Sequence, residues 1–584
     1  MGLLLVNDDY FEIRPGRLGD RGSRAGKHKS LVAQVRALSN KAGRVGLASG
    51  GRRGTGRHAR GRSAALGART RQGQRRVLIK ARVVRHAGSR FSAAPLARHV
   101  AYLEREGVTR DGKDAELFGS GGDPADGKAF ATRCAGDRHH FRFIVSPVDA
   151  SELADVRAFT RELLTDMQAD LGTRLDWVAV DHWNTDNPHV HILVRGLADD
   201  GRDLVIDKDY IREGMRSRAE ERATIELGPR TEREIDRSLR REIDADRWTS
   251  LDRRLRRMAD QLGGVIDLRP DPSRPQADIE RHLIARAGKL ERMGLATQIA
   301  PGCWMLKPDV EPTLRQLAAR GDIIQTMHRA MTGLGVDPDP GRFAMHESGT
   351  GEKVTGRLVE RGLHDELAGQ AYAVVDGADG KVHHLRFADL EQTGDAAPGA
   401  IVEVRTWTDR RGRRGQSLWV QSDLTLNEQV VAQGATWLDR QLVSPDPVAT
   451  GGGFGLTIEQ AKVDRAEHLV SEGLASHRAG RIVLARDLLD TLRSRELAAA
   501  REAVAMRTGL SHRPRAEGEA VSGIYRERVT LASGRFAMID HGLGFELVPW
   551  RPQLERHLGQ QVSGTIRTGG GIEWTLGRSR GIGI

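Results

Sequence analysis

The run Asp181-His-Trp-Asn-Thr-Asp-Asn-Pro-His-Val-His191 constrains this 584-residue chain more than any other stretch. The strand-forming sequences LDWVAVDHW and HVHILVRG flank a short connection of Asn, Asp and Pro residues, which predicts a β-hairpin. His189 and His191 are two residues apart on one strand, so their side chains leave the same face. His182 ends the preceding strand, and the turn brings it alongside. The sequence therefore predicts three imidazoles in one small volume.

Three neutral imidazole nitrogens can bind one divalent cation and leave coordination positions open for substrate oxygens. An open site of this kind is typical of catalysis more often than of structural support. The alternative interpretation is that His182, His189 and His191 are ordinary hydrogen-bonded residues at a sheet edge. The spacing alone does not distinguish a nuclease from another metal-dependent hydrolase.

The sequence around the hairpin predicts an antiparallel sheet backed by helices. VLIKARVV, from Val77, and HHFRFIVSP, from His139, have the composition of strands. Helices are predicted from Ala93 and from Leu153, where apolar residues recur at three- and four-residue spacing. A capping box is expected just before the second helix, at Asp149-Ala-Ser-Glu. The order strand, helix, strand, helix, strand, strand indicates the α+β class.

Positive charge is concentrated near the beginning of the sequence. Between Arg14 and Lys80 there are 19 Lys and Arg residues and a single acidic residue, whereas the whole chain has a net charge of +12. This stretch consists mainly of Arg, Gly, Ser and Ala without apolar periodicity, so it is predicted to be disordered. A basic arm of this kind suits nucleic-acid phosphates. The alternative is a solvated tail that only aids solubility.

Composition bears on where in the cell the protein is expected. No stretch approaches the roughly 18 to 20 apolar residues that a membrane helix requires, and we expect no membrane segment. The first residues lack the positive region and the longer apolar run of a secretory signal. With only two cysteines, Cys134 and Cys303, neither a disulfide framework nor a Cys-rich zinc site is predicted. We therefore expect a cytoplasmic protein.

A pattern recurs in the C-terminal half. Arg286-Ala-x-x-Leu-x-x-x-Gly294-Leu-Ala is repeated from Arg465, and each copy is followed by a short β-like run, an aspartate and Thr-Leu-Arg. A helix, a hairpin and a further helix in this order are typical of a winged helix. Each copy precedes a β-rich block, which we interpret as a small β-barrel-like unit. The alternative is two unrelated segments that share a Gly-Leu-Ala turn by chance.

The histidine hairpin resembles the third motif of the relaxases, HUH-type nucleases of mobilisable plasmids that include the T-DNA border nuclease. The match is His182-Trp-Asn-Thr-Asp-Asn-Pro-His-Val-His191, and Asn184 departs from the aspartate of many members. Tyr102-Leu-Glu-Arg-Glu-Gly resembles the first motif of that family. The strand that ends in Ser146-Pro corresponds to a short Ser- or Pro-bearing motif. The resemblance covers about residues 77–225.

The resemblance implies a relaxase that nicks one DNA strand at an origin of transfer and keeps the 5′ phosphate on a tyrosine. Of the five tyrosines, Tyr102 is the nucleophile by motif order, because it lies one strand ahead of the hairpin. The resemblance implies Mg²⁺ or Mn²⁺ as the metal, although imidazole alone suits zinc or nickel equally. The other candidate site residues are the metal ligands His182, His189 and His191, the possible orienting carboxylates Asp181 and Asp186, and the possible DNA contact Ser146.

The resemblance further implies single-stranded DNA at the origin, a type IV secretion coupling apparatus and accessory DNA-binding proteins as partners. One alternative is a rolling-circle replication initiator, which shares the hairpin and the tyrosine but commonly carries a helicase. The sequence has no Gly-x-x-x-x-Gly-Lys-[Ser/Thr] phosphate loop, which favours the relaxase. The remaining alternatives are a non-catalytic DNA-binding regulator and a zinc hydrolase of small molecules.

These observations predict six regions along the chain. They are a basic, largely disordered arm (1–75), a relaxase domain with an HUH-type sheet (76–263), a winged-helix-like unit (264–340), a β-rich unit (341–440), a second winged-helix-like unit (441–510) and a second β-rich unit (511–584).

Overall fold

The computed structural model describes residues 60–61, 73–86, 94–106, 110–111, 113, 115–183, 188–269, 277–336, 339–346, 353–365, 367–408, 412, 414–513, 519–567 and 571–575. The chain divides into two compact units, Met1–Arg320 and Gly321–Ile584. Both mix helices with antiparallel sheets, which confirms the predicted α+β class.

The first part of unit 1 contains the histidine hairpin. Its elements are β1 (Val77–Arg85), α1 (Ala94–Glu106), β2 (Phe118–Gly119), α2 (Gly127–Arg133), β3 (His139–Pro147), α3 (Val156–Leu171), β4 (Trp177–His182), β5 (His189–Arg195) and α4 (Met215–Leu227). The strands form one antiparallel sheet in the order β1-β3-β5-β4-β2. The hairpin strands β4 and β5 therefore lie inside the sheet, each with a neighbour on both sides.

Helix α3 begins and ends with standard capping residues. Asp155 accepts hydrogen bonds from the backbone amides of Arg157 and Ala158, and Gly172 ends the helix with a φ of 61°. The capping box expected at Asp149 and Glu152 is wrong. Asp149 precedes a single 3₁₀ turn without a side-chain cap, because the chain enters the helix only after Asp155.

One face of the sheet packs against α3 and α4. Alternate residues of β4 and β5, including Ala179 and Ile192, enter this core with Phe159 and Leu163 of α3. Burial of this apolar surface is the main source of stability for the layer. Since side chains alternate along a strand, the residues between them, His182 included, face the opposite side.

Two residues of the predicted basic arm are packed in this unit. The Arg60 guanidinium donates to the carbonyls of Leu171 and Gly172. Arg75 is buried and its guanidinium forms ion pairs with Asp149 and Glu234. Most of the region 1–75 lies outside the described residues, so its expected disorder stays a prediction. Arg60 and Arg75, however, pack against this unit, where Arg60 also forms an ion pair with Asp200.

The rest of unit 1 forms a second core. Its elements are α5 (Glu232–Asp244), α6 (Ser250–Gln261), β6 (Val265–Asp267), α7 (Ala277–Arg292), β7 (Ala296–Ala300), β8 (Cys303–Leu306) and the beginning of α8 (Val310–Gly333). The strands form a sheet in the order β6-β8-β7. Leu251 and Leu255 of α6 share one core with Leu283 and Leu290 of α7. This core crosses residue 263, where the sequence predicts a domain boundary.

Unit 2 contains two larger sheets and a short hairpin. Its further elements are β9 (Phe343–His346), β10 (Thr355–Asp365), β11 (Gln370–Gly377), β12 (Val382–Phe387), β13 (Ile401–Thr408), β14 (Arg414–Ser422), α9 (Leu426–Val431), α10 (Trp437–Val443), α11 (Phe454–Ser471), β15 (Ala475–Arg478), β16 (Arg481–Leu484), α12 (Leu488–Thr508), β17 (Ala520–Leu531), β18 (Gly534–Asp540), β19 (Phe545–Pro549), β20 (Gln561–Ile566) and β21 (Ile572–Trp574).

The β-rich blocks are open sheets. Their strand orders are β14-β13-β10-β11-β12-β9 and β19-β18-β17-β20-β21. The predicted barrel-like closure is wrong for the described residues, because in each sheet the two outermost strands are edges that do not pair with each other. A barrel requires that pairing. Strand β9 instead extends the first sheet by pairing parallel to β12.

Within the part of the chain that the structure describes, no helix is both long enough and apolar enough to cross a bilayer.

Candidate metal centre

Strand pairing brings the three histidines onto one face of the sheet. His182 lies directly opposite His189 across the β4–β5 pair, and His191 lies opposite Val180. Because directly paired residues and residues two apart share a face, all three imidazoles point away from the α3–α4 core. The predicted convergence of His182, His189 and His191 is what the structure describes.

The triplet is compact and buried. The exposed fractions of His182, His189 and His191 are 0%, 1% and 4%. One ligand nitrogen from each ring lies within 4.8 Å of the others, and the ring centroids are 4.6 to 5.4 Å apart. Neutral imidazole is the form of histidine that binds metals.

The distances within the triplet fit a cation. The Nε2 atoms of His189 and His191 are 3.0 Å apart. Two nitrogens that each lie about 2.1 Å from one cation, at right angles to each other, are about 3.0 Å apart. The same distance also suits a hydrogen bond from one neutral ring to the other. The two nitrogens could thus occupy neighbouring positions of an octahedral site.

A backbone carbonyl orients the third ring. Nε2 of His182 lies 3.1 Å from the carbonyl oxygen of Leu103. A carbonyl can only accept, so Nε2 carries the hydrogen and Nδ1 carries the lone pair. Carbonyls commonly fix the tautomer of a metal-binding histidine in this way. Leu103 belongs to the first motif, but the sequence did not indicate this contact, because it depends on how α1 packs over the sheet.

The same contact involves the residue that follows the candidate nucleophile. Tyr102 precedes Leu103 on α1, so the tyrosine belongs to the helical turn that contacts His182. Tyr102 is only 3% exposed. The helix that carries Tyr102 is therefore in direct contact with one of the three histidines, and the role of Tyr102 as nucleophile stays a prediction.

Asp181 lies on the other face of β4 and does not reach the histidines. Its two carboxylate oxygens accept hydrogen bonds from Arg157 Nε and Trp183 Nε1, both at 2.8 Å. Burial disfavours the charged form of Arg157, but the carboxylates of Asp181 and Asp123 outweigh it and raise the pKa of the guanidinium. The expected orienting role of Asp181 is thus replaced by a role on the opposite face, because adjacent strand residues point in opposite directions.

A cavity of about 750 Å³ lies beside Asp181. Arg110, Lys113, Arg157 and Trp183 contribute to its lining. The Arg110 guanidinium lies 5.4 Å from the centroid of the Trp183 ring, within the range of a cation–π contact. Sequence reasoning missed this cavity, although strand alternation at Asp181 and Trp183 was a signal that could have suggested it.

Of the two remaining candidate site residues, the structure describes Ser146 but not Asp186. Ser146 is buried, and its hydroxyl donates to the carbonyl oxygen of Pro188 at 3.0 Å. It therefore braces the backbone just before His189, and its expected DNA contact stays a prediction. Asp186 lies outside the described residues, as does Asn184.

The site thus defines a class: an antiparallel α+β layer that carries a buried triplet of imidazoles suited to a divalent metal. The chain belongs to the family described as "Protein of unknown function (DUF3363)", whose model matches residues 283–414 and 405–583, just over half of the chain. The matched segments lie outside the histidine hairpin. No curated protein and no solved structure matches the chain.

Proposed function

We propose that this protein is a relaxase that nicks one strand of DNA at an origin of transfer and forms a 5′-phosphotyrosyl intermediate. The observation that carries the proposal is the juxtaposition of three buried imidazoles with the helical turn that bears Tyr102. A small-molecule hydrolase would leave Tyr102 and the basic arm without a role. The basic sequence between Arg14 and Lys80 also favours a nucleic-acid substrate.

The reaction is a transesterification. The Tyr102 oxygen bonds to the phosphorus of the scissile phosphodiester, and the bond from phosphorus to the 3′ oxygen breaks. The phenol loses its proton and the departing 3′ oxygen gains one, so one ester replaces another and no co-reactant is consumed. The ordinary pKa of a phenol is about 10, so deprotonation must accompany the attack.

The three histidines would hold the metal, with Mg²⁺ or Mn²⁺ as the proposed ion. A divalent cation supplies Lewis acidity, which polarises the phosphate and offsets the charge that grows on it. The part played by the chain is to orient His182, His189 and His191. The Leu103 carbonyl does this for His182, and the strand register does it for the pair on β5.

DNA must reach a buried tyrosine. Tyr102 and the triplet are almost inaccessible in the structure, so the proposal requires α1 to shift when a single strand binds. Loops and helices that cover active sites commonly move in this way. The finer assignment of the sheet to the HUH type rests on the hairpin motif together with the strand order β1-β3-β5-β4-β2.

The test is an adduct assay with single-stranded oligonucleotides that tile the mobilisation region of the host element. The label belongs on the 3′ end, because the tyrosine would retain the 5′ phosphate of the downstream fragment. In Mn²⁺, the wild-type protein should yield a labelled species of protein size on a denaturing gel. Tyr102→Phe should bind the oligonucleotide and yield none. The matched control is Tyr210→Phe, which should still form the adduct.

The same assay separates the competing functions. A non-catalytic DNA-binding regulator would bind DNA without any adduct. A rolling-circle initiator would form one, but would support replication of a test plasmid rather than its transfer between cells. Transfer in the cell would also test the proposed partners, namely a type IV secretion coupling apparatus and accessory DNA-binding proteins, and the proposed cytoplasmic location.

We also propose that the region from α5 to β21 is an internal duplication. Arg286 forms a buried ion pair with Asp252, and Arg465 forms one with Asp439. In each copy the aspartate also caps its helix in a capping box with the threonine three residues earlier. The sequence Thr-x-Leu-Asp-Arg-x-Leu begins at Thr249 and again at Thr436.

Carbonyl partners of the two arginines also correspond. Arg286 donates to the carbonyls of Ile243, Ala245 and Arg247, and Arg465 donates to those of Val430, Ala432 and Gly434. The β-rich sheets have matching orders, β14-β13-β10-β11-β12 and β21-β20-β17-β18-β19, apart from the additional β9. A shared ancestor of the two copies explains this agreement better than chance does.

A further inference from the structure

The face of the sheet that carries the histidine triplet also carries positive charge. Strand register places Lys80 opposite Ile144, and Ile144 opposite His191, so the row that crosses His191 ends in a lysine. In the next row on the same face, two residues further along each strand, Arg82 lies opposite Arg142. Because residues paired across strands share a face, all three cations lie on the side of the triplet.

The paired strands supply no carboxylate to offset these cations. The described side chains that β1, β3, β4 and β5 place on this face include no aspartate or glutamate. Arg195 also lies on the face, but it pairs with Asp137 at 2.8 Å and adds no net charge. Glu104 of α1 lies beside Gly127 of α2, which packs against β4 on the far side of the triplet from β1. The paired residues between the triplet and the β1 edge therefore carry a net charge of +3 from the three cations.

Folding alone gives no reason for this arrangement. Arg82 and Arg142 are directly opposite each other, and like charges in that position destabilise an antiparallel pair. A bound anion would offset the repulsion. A ligand that carries several negative charges in a row therefore suits this half of the face.

A chain of hydrogen bonds holds the Arg142 guanidinium in place. His86 Nδ1 lies 2.7 Å from the carbonyl oxygen of Asp137, so Nδ1 carries the hydrogen and Nε2 has the lone pair. His140 Nδ1 lies 2.7 Å from His86 Nε2 and donates to it. His140 Nε2 is then left as an acceptor, and Arg142 Nε donates to it at 3.1 Å. Each donor in the chain meets an acceptor when both imidazoles are neutral.

The surroundings keep both imidazoles of the chain neutral. His140 is 1% exposed, and burial, together with the positive charge of Arg142, holds its pKa well below the usual range. Burial also lowers the pKa of His86. A neutral His140 accepts from Arg142, whereas a protonated one would only donate and would repel the guanidinium. The chain is therefore suited to support a charged arginine.

The position of Arg142 suits a phosphate close to the metal centre. Arg142 is diagonal to His191 across the β3–β5 pair, and diagonal neighbours are about 7–8 Å apart, within reach of a long side chain. Arg142 is half-buried, as are Lys80 and Arg82, so part of each side chain is accessible. The bond to His140 uses one of the five N–H groups of the guanidinium, whose fork matches the oxygens of a phosphate.

We propose that Arg142 binds a phosphate of the single strand next to the phosphate at the metal centre, and that Lys80 and Arg82 continue the path of the strand towards β1. The identity of the ligand as single-stranded DNA rests on the proposed function. His140 and His86 are positioning residues, since they act through Arg142. In the opposite direction, β4 places only Val178 and Val180 on this face beside His182, and neither binds a phosphate.

The test is the salt dependence of DNA binding by the full chain. A fluorescein-labelled, single-stranded 20-nucleotide DNA of mixed sequence is titrated in Mn²⁺ at several salt concentrations. The Tyr102→Phe background prevents adduct formation. Loss of one phosphate contact should flatten the slope of log affinity against log salt by about 0.7. Arg142→Gln should show this change and bind about tenfold more weakly at low salt, whereas Arg142→Lys should keep the slope because it keeps the charge.

The matched control is Arg138→Gln, which removes an arginine of the same unit whose side chain is 70% exposed and paired with Asp203. Its slope should equal that of the unmodified background. Thermal melting checks that each variant is folded. If Arg142→Gln is not, Lys80→Gln takes its place and should flatten the slope by the same amount.

Variants of His140 test the positioning role. His140→Leu should keep the slope, because the charge of Arg142 remains, but should weaken binding. His140→Gln should restore the affinity, since its amide oxygen accepts from Arg142. Binding by His140→Leu that equals that of the background would overturn the positioning role.

The remaining outcomes also decide the proposal. Slopes of Arg142→Gln and Lys80→Gln that equal the slope of Arg138→Gln would overturn it, and so would a slope in Arg142→Lys as flat as that in Arg142→Gln. Tighter binding of an RNA of the same sequence would overturn the assignment to DNA. A wild-type protein that forms no adduct, together with a flatter slope in Arg142→Gln, would reject nicking and support this site, so the two failures are distinguishable.

Discussion

The histidine triplet of unit 1 and the Arg465–Asp439 pair of unit 2 are both buried polar clusters, and they differ in how their hydrogen bonds are satisfied. The Arg465 guanidinium has five hydrogen bonds, two to Asp439 and three to backbone carbonyls. The triplet places three groups of the same kind side by side, with two Nε2 atoms 3.0 Å apart. One cluster pairs opposite charges, and the other brings together three like groups, which on the proposed function hold a divalent cation.

On the proposed function, this difference separates a structural role from a functional one. A buried charge that is fully hydrogen-bonded stabilises a fold only as long as both partners are present. On the proposed function, a group of neutral imidazoles is stabilised by the cation that it binds. The two clusters should therefore respond in opposite ways to mutation and to added metal.

Breaking the ion pair should give the largest effect. Arg465→Leu should destabilise unit 2 by about 3–5 kcal/mol, because it leaves the buried Asp439 carboxylate without a counter-charge. His191→Ala in metal-free protein should cost much less, since it relieves crowding among the rings. Chemical denaturation followed by circular dichroism measures both. The double variant Arg465→Leu/Asp439→Leu should recover part of the loss. Equal losses of stability for His191→Ala and Arg465→Leu would contradict the distinction between the two clusters.

Added metal should stabilise only the triplet. At a Mn²⁺ concentration a hundred times its Kd, the free energy of unfolding of unit 1 should rise by about 2.7 kcal/mol. Thermal melting after treatment with a chelator, with and without Mn²⁺, measures this rise. His189→Ala should abolish the rise, whereas His477→Ala, which changes an exposed histidine, should keep it. A rise that persists in His189→Ala would place the metal elsewhere.

A buried histidine outside the triplet should make unit 2 sensitive to acid. Burial, with repulsion from His364 and Arg386, lowers the pKa of His384 from 6.5 to about 3. The unfolded chain takes up a proton near pH 6.5 and the folded chain does not. Stability should thus fall by about 1.4 kcal/mol for each pH unit below 6.5, until the folded pKa is reached.

The check is a series of unfolding curves between pH 7 and pH 4. His384→Phe should flatten the pH dependence, because a phenyl ring can keep the stacking against Tyr372, whose ring centroid is 5.3 Å away. An unchanged pH dependence in His384→Phe would show that other groups are responsible.

Removal of the basic arm should give the smallest effect, and it should change DNA binding but not nicking. Deletion of residues 1–59 leaves Arg60 and Arg75 in their packed positions and removes the preceding positive charges. Each phosphate of a single strand that the arm no longer neutralises should flatten the slope of log affinity against log salt by about 0.7. Nicking at saturating oligonucleotide should survive. An unchanged slope, together with loss of transfer between cells, would instead identify the arm as a signal for a secretion partner.

The local features of unit 1 could be predicted from its sequence. Strand β3 runs over His139–Pro147 as its composition indicates, and two-residue spacing placed His189 and His191 on one face. The same alternation rule, applied to Asp181 beside His182, would have shown that this carboxylate points away. Asp155 competes with Asp149 for the start of α3, and the sequence did not reveal which would cap the helix.

Features that depend on distant contacts were less predictable. Arg286 and Arg465 stood out as the first residues of a repeated pattern, but their partners lie 34 and 26 residues earlier. Closure of a sheet into a barrel depends on pairing between its edge strands, which no local pattern determines. The approach of Leu103 to His182 likewise depends on the packing of α1.

The most direct measurement of the central claim is mass spectrometry of the protein–DNA adduct. When wild-type protein cleaves an oligonucleotide in Mn²⁺, one peptide should be linked through phosphate to the 5′ end of DNA, with the bond on Tyr102. Tyr102→Phe and His191→Ala should give none, and Tyr210→Phe should give the wild-type peptide. A linkage at any other residue, or adduct formation that is unchanged in His191→Ala, would contradict the account.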